Sequence, residues 1–230
     1  MPTESTSGNF RYRTSFGHCP SRTAGTLTLK LVKTFEHTNS LRELKKDIVN
    51  ENLVEKHFIS EYSVKYDPIQ KLLSLNFDCP IPLMRVQIYK ENSTDSYEAL
   101  LVDSGKLVDP TYEELLRGEQ KIINPLPFLA LPVGEMDEKI QKQITTLFKG
   151  IRKELKNKIS EVIIGANREL TIILSSDRTP TSVFMGSDVW EEKILKLQKI
   201  VAFMEEKGKT PAIINLTNAK KVVVKFSDKF

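Results

Sequence analysis

Histidine and cysteine, the side chains most often used to bind metals or attack substrates, are scarce in this chain. Its 230 residues include 3 histidines and 2 cysteines, and only His18 and Cys19 are neighbours. A protein zinc site uses about three or four ligands at regular spacing, which this pair, His37 and His57 do not provide. We therefore expect no metal and no cofactor.

Known catalytic motifs are missing from the sequence as well. It contains no phosphate-binding loop, dinucleotide fingerprint or nucleophile elbow. Asp103 lies in a Val-Asp-Ser-Gly turn, where a carboxylate commonly accepts hydrogen bonds from the backbone of its own turn. Glu61 and Asp78 have no neighbour in the sequence that would make an acid–base pair. We therefore expect a non-enzymatic protein with no small-molecule substrate.

The composition is that of a soluble globular protein. Hydrophobic residues make up 40% and charged residues 28%, and the net charge is +4 with lysine and glutamate interleaved. Nucleic-acid binding is disfavoured, because a phosphate-binding face usually shows clustered basic residues. No apolar run approaches the roughly 18 to 20 residues of a membrane span. We expect membrane association only through an anchor that lies outside this sequence.

Cys19 and Cys79 leave two alternatives open. They are either free thiols or a disulfide, and a count of two cysteines does not fix the cellular compartment.

The first part of the chain is predicted to form a tail and a β-α-β-β unit. Residues 1–26 are polar and lack periodicity, which favours a flexible tail. Leu27 to Phe35 alternates apolar and polar residues and predicts a strand. Ser40 and Glu43 match a helix capping box. Two further strands are predicted at Glu61 to Asp67 and Lys71 to Phe77.

The second part is predicted to be strands interrupted by amphipathic helices. The longest helix signal runs from Glu135 to Ile159. A short helix is predicted after Asp109-Pro110 and ends at Gly118, and another begins between Asp188 and Glu191. Strands are predicted at Met84 to Lys90, Tyr97 to Asp103, Glu161 to Gly165, Glu169 to Leu174 and Thr181 to Met185.

The chain closes with a predicted hairpin. Ala212 to Thr217 and Lys221 to Phe226 are β-prone, and Asn218-Ala219 separates them. Val222, Val224 and Phe226 would face one side of the last strand, and Lys221, Val223 and Lys225 the other. A strand near a chain end often lies at a sheet edge. There its lysines either guard against aggregation, or the strand accepts a strand from another chain.

Several short motifs follow one another along the sequence in a defined order. They are the strand–turn–strand segment from Glu61 to Val86 with its Pro-containing exit, the turn Leu101-Val102-Asp103-Ser104-Gly105, the segment Leu126-Pro127-Phe128-Leu129 with Leu131-Pro132, the helix Lys193 to Leu197, and the hairpin of Ile213 to Thr217 with Val222 to Val224. This order resembles the extracytoplasmic part of the bacterial division protein family FtsQ, called DivIB in some bacteria. Asn215 and Thr217 stand where that family has Asp and Arg.

The resemblance implies an α+β fold of two domains. A small POTRA-like β-α-β-β domain would span residues 27–82. An FtsQ-type, mostly antiparallel β-sheet domain with amphipathic helices packed on it would span residues 83–230.

The resemblance also implies a function as a scaffold of the bacterial divisome. The protein would act at the division site, on the periplasmic or extracytoplasmic face of the inner membrane. Its last strand, Lys221, Val222, Val223, Val224, Lys225 and Phe226, would pair with a strand of an FtsB/FtsL-like partner. The alternatives are a POTRA-type envelope assembly or transport module, and an enzyme whose site the linear sequence hides.

Overall fold

The structure is a computed structural model that describes residues 3–89, 96–131, 138–165, 167–176, 179–218 and 220–226. These residues form seven helices and two mixed sheets, which confirms the predicted α+β class. The chain divides into two compact units. The first consists of Met1–Ile81 and Thr111–Ile123, and the second of Pro82–Pro110 and Asn124–Phe230.

A four-stranded sheet forms the base of the first unit. Its strands are β1 (Thr3–Ser7), β2 (Phe10–Ser15), β3 (Glu61–Asp67) and β4 (Leu72–Asp78). The spatial order is β1-β2-β4-β3, and only the β2–β4 pair is parallel. The prediction of a flexible tail is therefore wrong for β1 and β2. Phe10 is buried against the ring of Phe35, with ring centroids 5.0 Å apart, and this contact fastens the first strands to the unit.

Four helices complete the first unit. They are α1 (Ser21–Thr38), α2 (Leu41–Asn50), α3 (Leu53–His57) and α4 (Thr111–Gly118). The predicted strand from Leu27 to Phe35 is wrong, because it lies within α1. Leu27, Leu31 and Phe35 recur every four residues and are buried, whereas Leu29 is 58% exposed. Leu29 created the alternation that suggested a strand, although the buried residues follow the helical period.

Other predictions for the first unit are confirmed. Ser40 caps α2, and its hydroxyl accepts a hydrogen bond from the Glu43 amide at 3.4 Å. The strand from Glu61 to Asp67 has the predicted bounds. Helix α4 begins after Pro110 and ends at Gly118 as predicted.

Helix α4 belongs to the first unit, although the sequence placed it in the second domain. The ring of Tyr112 stacks on Phe58 with centroids 4.7 Å apart. The Tyr112 hydroxyl also donates a hydrogen bond to the Pro80 carbonyl at 2.7 Å. These contacts join α4 to residues about 30 to 50 positions earlier in the chain. Hydrophobic periodicity describes only near neighbours in the sequence, so it could not predict them.

Cys19 and Cys79 form a disulfide, which resolves the alternative left open by the sequence. Both residues are buried. Since Cys19 lies two residues before α1 and Cys79 directly follows β4, the bond fastens the start of α1 to the sheet.

The second unit is built on a nine-stranded sheet. In space its order is β13-β12-β11-β10-β9-β8-β5-β6-β7, and most neighbouring pairs are antiparallel. The strands are β5 (Pro82–Tyr89), β6 (Ser96–Val102), β7 (Leu107–Val108), β8 (Phe128–Ala130), β9 (Ile159–Ile164), β10 (Leu170–Leu174), β11 (Thr181–Gly186), β12 (Ile213–Asn215) and β13 (Val223–Lys225).

The second unit also contains three described helices, which are α5 (Glu138–Lys149), α6 (Lys153–Lys156) and α7 (Trp190–Glu206). The single predicted helix from Glu135 to Ile159 is wrong. The chain leaves the helix at Gly150 and Ile151, α6 adds one turn, and Ile159 begins β9. Ile151 and Ile159 are nevertheless buried in the core, so their apolar character was correctly assigned to the interior. Residues 135–137 lie outside the described part of the chain.

None of the helices that the structure describes is both long enough and apolar enough to cross a bilayer.

Candidate partner-binding edge

Strand β13 lies at one end of the nine-stranded sheet. Among the described strands it pairs only with β12, antiparallel, with Ile213 opposite Lys225, Ile214 opposite Val224 and Asn215 opposite Val223. Its other side therefore has no strand neighbour in the part of the chain that the structure describes. An edge of this kind can accept a further strand.

The six residues predicted to bind a partner lie together, but only half of them are in the strand. Val223, Val224 and Lys225 form β13, Lys221 and Val222 precede it, and Phe226 follows it. Val222 is 43% exposed and Phe226 is 45% exposed. The apolar ends of the segment are thus accessible to solvent, and the whole segment remains the predicted site.

The predicted alternation of side chains along β13 agrees with the register. Val224 is opposite Ile214, which is fully buried, so Val224 faces the core side of the sheet. Val223 and Lys225 face the other side.

The neighbouring strand provides a firm base for this edge. β12 runs parallel to β11, and the Ser182 amide donates to the Ala212 carbonyl at 2.9 Å. The Ala212 amide in turn donates to the Lys225 carbonyl at 2.9 Å. β13 is therefore fixed on its inner side at the end where the strand leaves the sheet.

The connection between β12 and β13 is held by short-range hydrogen bonds. The Asn215 side chain accepts from the Thr217 amide at 2.9 Å and from the Thr217 hydroxyl at 2.7 Å. Asn215 and Thr217 thus hold each other in a local turn. Asn218 accepts from the Lys220 amide at 2.9 Å. Ala219 of the predicted turn lies outside the described residues.

Sequence reasoning missed Lys193, a lysine that is only 1% exposed. Its ammonium group donates to the carbonyls of Met185 at 2.7 Å and Thr217 at 3.3 Å, and to the Asp188 carboxylate at 2.5 Å. The hydrogen bond from Lys193 holds the pKa of Asp188 below its ordinary value. Lys193 thus joins the end of β11, the segment just before α7 and the segment just after β12. In the sequence, its position one turn before Leu197, on the apolar stripe of α7, could have indicated that Lys193 is buried.

Several lysines lie in or beside the edge segment. The Lys209 ammonium lies 5.9 Å from the centre of the Phe226 ring. Within the described residues, no carboxylate forms an ion pair with Lys209, Lys220, Lys221 or Lys225. Lysines at these positions would attract an acidic segment.

Three other strands also lie at sheet edges, and each is less suited to accept a partner. β7 contains only two residues. β1 is polar throughout, and β3 carries Glu61, Lys65 and Asp67 along its length. Charged and polar side chains of this kind are the usual protection of an edge. β13 and its flanks carry lysines as well, but combine them with three valines and a phenylalanine.

The residues considered for metal or acid–base chemistry lie in separate places, where they form structural contacts. His18 is 3.1 Å from Asp78, and His57 is 3.2 Å from Glu51. Burial alone would raise the pKa of Asp78, but hydrogen bonds from the His18 and Cys79 amides keep that pKa below its ordinary value. The described ranges contain no group of three or more histidine, cysteine or acidic residues arranged to hold a metal ion.

Comparison with known proteins finds similarity among solved structures alone. The sequence matches no protein-family model and no curated protein. Among solved structures, the chain is similar to the major extracytoplasmic domain of the trans isomer of the bacterial cell division protein DivIB from Geobacillus stearothermophilus, with 15% identity and a TM-score of 0.32. The similarity covers 54% of this chain and 91% of that domain.

Proposed function

We propose that this chain is a non-catalytic scaffold that binds another protein by adding a strand of that protein to β13. The observation that carries the proposal is the outer side of β13, which has no neighbour among the described strands and is flanked by the exposed apolar residues Val222 and Phe226. Strand addition uses main-chain hydrogen bonds for affinity and alternate side chains for specificity.

The short edge sets a limit on the affinity that backbone pairing alone provides. Each added hydrogen bond contributes about 1 kcal/mol net, and a three-residue strand offers only a few such bonds. Complete burial of Val222 or Phe226 would add about 1.5 to 3 kcal/mol each. A stable complex therefore requires side-chain burial at both ends of β13 in addition to the hydrogen bonds.

The order of the sequence motifs favours a partner of the FtsB/FtsL type, and thus a scaffold of the bacterial divisome. In that setting the chain would lie on the periplasmic or extracytoplasmic face of the inner membrane, at the division site. The Cys19–Cys79 disulfide supports this location, because such bonds persist in oxidising compartments. The lysines along the edge suit a partner strand with acidic neighbours.

The experiment that tests the proposal is titration calorimetry of this chain with the extracytoplasmic segments of its own organism's FtsB/FtsL-like pair. Two adjacent variants, Val223→Pro and Val224→Pro, make the test specific. In an antiparallel pair successive residues alternate in direction, so one of these amides points to β12 and the other points outward. Proline removes the amide hydrogen in either case.

We expect micromolar or tighter binding by the unmodified chain. The variant that loses the outward amide should remain folded and lose binding, whereas the other should weaken the β12–β13 pair itself. Leu195→Ser, at an exposed position of α7, is the control and should bind normally. Absence of binding by the folded chain, or normal binding by both proline variants, would refute strand addition at β13.

A further inference from the structure

A cleft of about 460 Å³ opens within the second unit, beside the last turns of α7. Its inner wall is apolar and consists of Leu174, Val201, Met204 and Ile214. Leu174 and Ile214 are buried, whereas Val201 and Met204 are only half-buried. Apolar surface that remains open in this way is available to a further side chain.

Charged residues stand at the mouth of the cleft. Lys158 and Glu205 form an ion pair with each other there. Lys209 also lines the cleft, and within the described residues no carboxylate pairs with it. An apolar wall beside the Lys209 ammonium group suits an apolar side chain that has a carboxylate close to it.

The cleft and the edge of β13 meet at the same end of the sheet. Lys209 lines the cleft and also lies over the Phe226 ring, which follows β13. Pro211 lines the cleft too, and the next residue, Ala212, donates its amide hydrogen to the Lys225 carbonyl at 2.9 Å. A strand added to β13 would therefore enter or leave the sheet beside the mouth of the cleft.

We propose that the cleft takes an apolar side chain, adjacent in sequence to an acidic residue, from the segment that flanks the partner's added strand at the Lys225 end of β13. This inference rests on the proposed function, and it defines a second point of attachment beyond the strand. A cleft of this volume accommodates a side chain as large as phenylalanine or tryptophan, which are common anchors of protein interfaces.

The cleft can be tested without the partner, by NMR titration of the full chain with the dipeptide acetyl-Asp-Phe-amide. We expect saturable shifts of the Val201 and Met204 methyl signals. Acetyl-Lys-Phe-amide should bind about fivefold more weakly, which is the effect of one exposed charge contact. Lys209→Glu should reverse this preference, and Lys207→Glu, on the same exposed end of the helix but outside the cleft lining, should leave it unchanged.

Met204→Trp, which fills the cleft, should abolish the dipeptide shifts while the protein remains folded. The inference would be overturned by the absence of shifts at Val201 and Met204, or by equal binding of the two dipeptides. It would also be overturned if decanoate bound more tightly than acetyl-Asp-Phe-amide, or if the dipeptide displaced a second copy of this chain from the cleft. The two proposals fail separately. A proline variant that loses strand addition should still bind the dipeptide, and Met204→Trp should still accept the partner strand with at least tenfold lower affinity.

Discussion

The ammonium group of Lys193 lies 3.3 Å from the carbonyl oxygen of Thr217, the residue before the turn that leads into β13. The same group is hydrogen-bonded to Met185, at the end of β11. A buried cation thus fixes the point from which the edge strand departs. The position of β13 depends on a side chain of α7 as well as on its pairing with β12.

Replacing this lysine with methionine should loosen the hairpin. The carbonyls of Met185 and Thr217 would lose their donor, and an unsatisfied buried acceptor costs about 1–3 kcal/mol. We expect Lys193→Met to accelerate amide exchange at Val223 to Lys225 more than exchange in β10. Lys199→Met, at an exposed position of the same helix, is the control. Equal acceleration in β10 and β13 would mean that Lys193 stabilises the unit generally and does not position the edge.

Helix α1 receives its N-terminal cap from a residue far away in the sequence. The Glu119 carboxylate accepts hydrogen bonds from the Ser21 amide at 2.8 Å and the Arg22 amide at 3.2 Å. Burial would raise the pKa of Glu119, but these bonds hold it below its ordinary value. The first turn of α1 contains no acidic residue of its own.

Glu119→Ala should therefore destabilise the first unit by about 1–2 kcal/mol, the usual cost of losing a cap. Hydrogen exchange of peptides from α1 measures this loss. Glu114→Ala, which changes an exposed carboxylate of α4, should have little effect. Equal exchange in the two variants would contradict a capping role for Glu119.

The disulfide should account for a large part of the stability of the first unit. It joins residues that are 60 positions apart, and constraint of a loop of this length stabilises a fold by about 4 kcal/mol. We expect the double variant Cys19→Ser/Cys79→Ser to lose the protection of its α1 amides from hydrogen exchange at a lower urea concentration than the unmodified chain. The single tryptophan, Trp190, lies in the second unit and reports that unit independently. A parallel loss of tryptophan signal would show that the two units unfold together.

Acid should weaken the first unit through Glu51. Hydrogen bonds from Lys30 and His57 lower the pKa of Glu51 from 4.5 to about 2. Because the folded pKa is below the unfolded one, the ionised carboxylate stabilises the fold above pH 4.5, and this contribution is lost as the pH falls towards 2. We expect Glu51→Gln to be less stable than the unmodified chain at pH 6 and to converge with it near pH 2 in urea unfolding. A constant difference across this range would contradict the assignment.

Much of the fold could be predicted from local patterns. The bounds of β3, the Ser40 cap of α2 and the strands around the final hairpin follow from alternation, capping and turn residues, which act between near neighbours. α1 was misread as a strand because Leu27, Leu29 and Leu31 satisfy the strand period as well as part of the helical one. The buried residues that distinguish a helix from a strand here include Phe35. Its partner Phe10 lies in a segment that has no periodicity of its own.

The candidate site could be predicted only in part. The sequence identified the residues of β13 and their alternation, since both depend on residue type and order. It could not show that this strand is at an edge, because that depends on which strands pair in space. Lys193 was missed because lysine on a helix is usually solvent-exposed. The cleft was missed because the residues that line it come from β10, β11, α7 and β12, which are separate in the sequence.

The first unit is interrupted along the chain, because Thr111–Ile123 belongs to it and the segment between belongs to the second unit. During synthesis, the first unit cannot be completed when residue 81 emerges, because the second part of the unit follows later in the chain. Tyr112 and Glu119 must arrive first, and until then Phe58 and the amides of α1 lack their partners. The two units consequently mature in an overlapping rather than a sequential order. A fragment cut after residue 81 should behave as an incomplete folding intermediate.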